Sequence, residues 1–103
     1  MGAKAQTLTR AIRQLLEYKG WFVWKGGTGA VRLNEGRFAR FGSLGAADLF
    51  ALKGGRLIAL EIKSKTDRPR PAQISFGESI NSHGGFYLIV RSVTELANAV
   101  EGL

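Results

Sequence analysis

The sequence predicts an α/β fold, a mixed β-sheet flanked by helices in the order α-β-β-β-α-β-α. Three observations lead there. Near the N-terminus Leu8, Ala11, Ile12, Leu15 and Leu16 recur at helical spacing. Farther on, the β-forming stretches Leu49–Lys53 and Leu57–Lys63 flank the pair Gly54-Gly55, the pattern of a hairpin. Finally, the apolar run Phe86–Val90 stands between two stretches that read as helices.

The first helix is expected over Thr7–Lys19, with Gly20 as its stop. Trp21–Lys25 is rich in β-formers and reads as a strand, broken by Gly26-Gly27-Thr28-Gly29. Between Arg32 and Phe38 polar and apolar residues alternate around a turn at Asn34-Glu35-Gly36, a hairpin-like or irregular excursion. The hairpin across Gly54-Gly55 follows, then a polar connector, Thr66–Pro71. Pro71 suits the first position of a helix running to Ser82, because its missing N–H is not needed there. His83-Gly84-Gly85 ends that helix, Phe86–Val90 is a buried strand, and Val93–Glu101 is a last helix with Ser92 as N-cap.

A chain of 103 residues forms one domain, 1–103, with no repeat or linker to divide it. Its apolar runs are broken by charges and fall far short of the roughly 18 residues of a membrane span. Met1–Thr9 has no apolar segment of the signal-peptide kind. Lacking cysteine, the chain has no disulfide and no thiolate zinc site, which fits the cytoplasm. Fifteen Lys and Arg against eight Asp and Glu give a net charge of +7, and a small protein so basic meets a polyanion. Lys63, Lys65, Arg68 and Arg70 form one basic cluster, and Arg32, Arg37 and Arg40 another.

Asp48, Glu61 and Lys63 carry the chemistry. Asp48 opens the first strand of the hairpin, and alternation along the second puts Glu61 and Lys63 on one face with Ile58, Leu60 and Ile62 on the other. Two carboxylates and a lysine thus converge. A phosphodiester repels nucleophiles and has a poor leaving group; a divalent cation counters both, and magnesium needs only one or two carboxylates beside water and phosphate oxygen. Lys63 either hydrogen-bonds the attacking water and offsets charge or, with a lowered pKa, accepts a proton. The plain alternative for Glu61 and Lys63 is a cross-face salt bridge, which contributes little.

Five segments, in this order, resemble the virus-type replication-repair nuclease (VRR-NUC) family of the PD-(D/E)XK superfamily. They are Gly20–Trp24, Gly45-Ala46-Ala47-Asp48-Leu49, Leu60-Glu61-Ile62-Lys63, Gln73 after the connector, and Gly84–Val90. The resemblance implies a restriction-endonuclease-like core, with Asp48, Glu61 and the Ile62 carbonyl as ligands of Mg2+ (or Mn2+). Lys63 is then the catalytic lysine and Gln73 the supporting helix residue. It also implies a stand-alone endonuclease of branched DNA, such as four-way (Holliday) junctions, acting in DNA repair inside a bacterial or phage-infected cell. Cutting two strands of a symmetric junction needs two sites, for which a C2 homodimer is the economical arrangement. The chain departs from the family at Ala47, where proline is usual, and at Thr7, where a first-helix glutamate is expected; Glu17 is the accessory candidate.

Arg32, Arg37, Arg40, Lys65, Arg68 and Arg70 are the expected phosphate contacts. Such contacts carry no sequence information, which favours a structural cue. Two rival readings are a catalytically silent DNA-binding module and a sequence-specific restriction-type nuclease. Gly26-Gly27-Thr28-Gly29 lacks the ending of a P-loop and reads as a turn. His83, the one histidine, reads as a loop residue. Trp21, Phe22 and Trp24 alternate and are mostly core, with Tyr18 a candidate for the same cluster and base stacking the other use of such a ring.

Overall fold

The structure, a computed structural model, describes residues 3–26, 29–32, 38–41 and 47–103, with backbone alone at 3–5, 29–32 and 38–41. Helix α1 (Ala3–Tyr18) starts four residues before the expected Thr7. Ala3-Lys4-Ala5-Gln6 are good helix formers and simply extend it, with no stop signal between. It ends at Tyr18, one residue before the expected Lys19, and Gly20 is the expected stop. Gly20 lies at φ +91°, its N–H bonds to Glu17 O and the Trp21 N–H to Leu16 O, the pair of bonds that closes a helix on a left-handed glycine.

The chain then enters β1 (Phe22–Lys25). Two further strands, β2 (Gly29–Arg32) and β3 (Phe38–Phe41), pair antiparallel as a separate two-stranded sheet. The expected excursion is therefore a hairpin, while its turn at Asn34-Glu35-Gly36 lies outside the described residues. The central hairpin is β4 (Leu49–Lys53) and β5 (Arg56–Ile62), in antiparallel register with Lys53 opposite Arg56. Gly54 and Gly55 both have positive φ, 57° and 81°, as the tight turn matching strand twist requires. Helix α2 (Pro71–Ser82) and strand β6 (Phe86–Val90) fall on the expected residues. Helix α3 (Val93–Ala99) stops two residues before the expected Glu101 and is capped by Ser92, whose hydroxyl accepts from the Glu95 N–H at 3.1 Å.

The main sheet has the order β1-β4-β5-β6. The first three strands are antiparallel neighbours, and β6 runs parallel to β5. A parallel pair needs a crossover, which α2 provides. Setting the β2–β3 hairpin aside, the elements read α-β-β-β-α-β-α, the expected mixed sheet with helices.

The two faces of this sheet differ. On one, Ile12 and Leu16 of α1 and Leu96 of α3, with Val100 just beyond it, meet Val23, Leu49, Ala51, Ile58, Leu60, Ile62 and Val90 in a buried apolar core. Trp21 joins it. On the other, β5 presents Ala59 and Glu61 beside α2. A row of rings crosses that face, Phe22–Trp24–Phe50–Phe76–Tyr87, with centroids 5.4, 5.5, 6.2 and 6.4 Å apart in turn. Phe22 at its outer end is 67% exposed. Tyr18, expected with these aromatics, is 88% exposed and outside the row, because it sits on the solvent side of α1's last turn. Among the described residues no helix is long and apolar enough to cross a membrane.

Candidate active site

Asp48 sits where the hairpin begins. Its N–H bonds to Leu60 O and its carbonyl accepts from the Gly26 N–H, both at 2.9 Å. A side chain at Gly26 is excluded, since a Cβ there would fall 2.3 Å from the Ala47 carbonyl oxygen. With its backbone held on both sides, Asp48 turns its carboxylate back to the ladder, where Oδ2 accepts from the Ile62 N–H at 2.8 Å. The carboxylate therefore lies beside the end of β5, one residue from Glu61 and one from Lys63.

Glu61 is the one buried charged residue among those described, at 4% exposure. Its Oε1 accepts from Gln73 Nε2 at 2.7 Å and lies 3.8 Å from Lys63 Nζ. The second distance is an ion pair rather than a hydrogen bond. Gln73 is itself oriented, because its Oε1 accepts from the Arg70 N–H at 2.9 Å. One amide thus ties the first turn of α2 to the carboxylate. Burial, then the charge of Asp48, raises the Glu61 pKa from 4.5 to about 7, against the lowering effect of Lys63 and Arg70.

The structure brings Asp48, Glu61, Lys63 and Gln73 together, with the Ile62 backbone bonded to Asp48. Glu61 Oε2 is buried with no hydrogen-bond partner. An unmatched buried carboxylate oxygen is costly, and a cation beside it removes the cost. No group of three or more His, Cys, Asp or Glu occurs among the described residues. The donors are a pair of hard oxygens, which fits a hydrated magnesium or manganese ion and does not suit zinc. His83 lies at the opposite end of α2, roughly 15 Å from Gln73 at 1.5 Å per residue, with Nδ1 2.7 Å from Ser79 O. It is the loop residue that its glycine neighbours imply.

Glu17 is exposed on α1 and pairs with Arg13 at 3.7 Å. None of the bonds that join Asp48, Glu61, Lys63 and Gln73 includes it. Thr7 is also exposed on α1. Lys65, Arg68 and Arg70 are exposed on the connector that leads from the site into α2. Arg32 and Arg40 lie on β2 and β3, opposite Phe38 and Ala30 in the hairpin register. Arg37 lies outside the described residues.

Two residues escaped the sequence reading. Arg91 donates from Nη1 to the Ser64 and Asp67 carbonyls, pinning the basic connector to the end of β6. Tyr87 stands on the Glu61 face with a buried, unpartnered hydroxyl. Burial first, then the charges of Glu61 and Asp48, push its pKa to about 12, which keeps the phenol protonated. A tyrosine inside an apolar strand is itself a signal, since a buried phenol needs a partner.

No protein-family model matches the sequence, and no curated protein does. A solved structure described as "VRR_NUC domain" is similar throughout, with a TM-score of 0.71, 23% identity, and 98% of each chain covered. At this identity the likeness shows a common fold. That fold is the α/β arrangement of a mixed sheet and flanking helices that the sequence predicts.

Proposed function

We propose that the chain is a VRR-NUC nuclease of the PD-(D/E)XK kind, a divalent-metal-dependent endonuclease that hydrolyses DNA phosphodiesters. The observation that carries this is the clustering of Asp48, Lys63 and Gln73 at the Glu61 carboxylate, whose Oε1 meets Gln73 and Lys63 while its buried Oε2 has no hydrogen-bond partner. The likeness to a structure described as a VRR_NUC domain supports it, as does the net charge of +7.

Asp48 and Glu61 would hold Mg2+ or Mn2+, with the Ile62 carbonyl as a further ligand. The ion, when bound, supplies charge neutralisation at the phosphate and acidifies water. Lys63 holds the incoming oxygen by hydrogen bonding and offsets charge as the phosphorane-like state forms. Gln73 keeps the Glu61 carboxylate in one orientation. Lys65, Arg68 and Arg70 grip backbone phosphates beside the site, and Arg32, Arg37 and Arg40 grip others. Phosphate contacts carry no sequence information, which favours a substrate chosen by shape: branched DNA such as a four-way junction, cut by a homodimer.

Labelled four-way, flap, nicked and linear DNA, incubated with Mg2+ or Mn2+, provide the test. The wild type is expected to cut the junction in preference to linear duplex, and Asp48→Ala, Glu61→Ala and Lys63→Ala to cut it slower by about 10²-fold or more. Unchanged cutting by all three variants rejects this site. Equal cutting of linear duplex rejects the structural preference, and a fixed cut motif in a random library makes the chain a sequence-specific enzyme. Tight DNA binding with no divalent-ion site makes it a silent binding module.

A further inference from the structure

Glu61 Oε1 is held by Gln73 at 2.7 Å, with Lys63 nearby, yet Oε2 has no partner. One other described side chain has a buried polar atom in the same condition, the hydroxyl of Tyr87. The two are complementary: a carboxylate oxygen accepts, and a phenol both donates and accepts. They also share a face of the sheet. Tyr87 stands opposite Ala59 in the parallel β5–β6 register, two positions before the residue opposite Glu61, and the charges of both Glu61 and Asp48 act on its phenol.

Packing accounts for the ring and leaves the hydroxyl unexplained. The ring lies edge-on to Phe76 at 6.4 Å and against Gly77, where a Cβ would come within 2.5 Å of Tyr87 Cδ2. A phenylalanine fills that space equally well. An oxygen carried into such a site without a partner is a standing cost, which a role in the loaded site removes.

We propose that Tyr87 is a positioning residue: its hydroxyl hydrogen-bonds, directly or through one water, to the Glu61 carboxylate when that carboxylate holds a cation. Gln73 then fixes one carboxylate oxygen and Tyr87 the other. Outer partners of this kind orient a ligand and raise its affinity for the metal. The inference rests on the reading of Glu61 as a cation ligand.

The test follows Mg2+ binding by calorimetry in wild type, Tyr87→Phe and Glu61→Gln, with tyrosine 13Cζ NMR of the labelled wild type. The chain has two tyrosines, and Tyr18, 88% exposed, serves as the internal reference. Saturating Mg2+ is expected to move the Tyr87 resonance and leave that of Tyr18 in place. Tyr87→Phe is expected to weaken Mg2+ binding by about tenfold with no fall in Tm, and to lower kcat with KM for DNA unchanged. If Glu61→Gln loses Mg2+ while Tyr87→Phe binds it as wild type does and the Tyr87 resonance stays still, the Tyr87 proposal is overturned and the metal site stands. If Glu61→Gln binds Mg2+ as tightly as wild type, the metal-site reading fails and Tyr87 falls with it.

Discussion

Leu60 and Glu61 are neighbours on β5 and both are buried, at 0% and 4% exposure, but they belong to different chemistry. Leu60 points into the core beneath α1 and α3, within a cluster of buried apolar side chains. Glu61 points toward α2, where burial raises its pKa and one of its oxygens lacks a partner. Among the described residues, the buried side-chain polar atoms without a partner lie on the second face, at Glu61 and Tyr87. The buried apolar core lies on the first face; on the proposed function, the second accepts a cost in stability to keep a charged group in place.

Core truncation gives the largest effect on folding. Leu60→Ala leaves a cavity among well-packed side chains and is expected to cost about 2–5 kcal/mol, with a fall in Tm of roughly 10 °C or more. Denaturant titration checks it. A loss under ~1 kcal/mol would mean that the α1–α3 face is less closely packed than the structure has it.

The pH dependence sharpens the contrast from the other side. With the Glu61 pKa at about 7 in the folded state and 4.5 as its ordinary value, the folded chain binds the extra proton between them. Glu61 therefore makes stability fall as pH rises through that window, and the effect levels off above it. Glu61→Gln removes the titration. In EDTA its Tm advantage over wild type is expected to grow from pH 5 to pH 8, whereas a constant difference would place Glu61 in an ordinary solvated setting. Because a cation binds the ionised carboxylate, Mg2+ should raise the wild-type Tm more at pH 8 than at pH 5.5.

The smallest effects belong to the connector. Arg68→Ala, Lys65→Ala and Arg70→Ala are each expected to weaken DNA binding and to reduce the slope of log K against log salt by about 0.9. Little change in Tm is expected at such exposed positions. An unchanged salt slope for all three removes the connector from the DNA contact.

Much of this fold was legible because local chemistry decides it. Gly54-Gly55 admits the positive φ of a tight hairpin turn, Pro71 suits the start of α2, and Ser92 caps α3. Alternation along β5 separates Glu61 from Leu60 without any tertiary information. Where local signals lapse, element ends shift: α1 starts at Ala3 because good helix formers carry it past the expected boundary. Of the site, the positions of Asp48, Glu61 and Lys63 follow from the hairpin, and Gln73 from the resemblance. Tyr87 could be singled out as a phenol in an apolar strand, but its place beside Glu61 and the role of Arg91 were not legible, since they depend on β6 lying parallel to β5 and on a connector folding back to it. Such contacts join residues distant in sequence, and no periodicity reports them.

On the proposed function, the α2 face is built for a cation and for hydrolysis. The most direct measurement of this compares wild type with Glu61→Gln in Mn2+-dependent cleavage of a labelled four-way junction, alongside the Tm of each protein. Glutamine keeps the shape and an oxygen for Gln73 but removes the charge. The expected result is cleavage slower by about 10²-fold or more at an equal or higher Tm. Junction cleavage by Glu61→Gln at the wild-type rate would contradict the account.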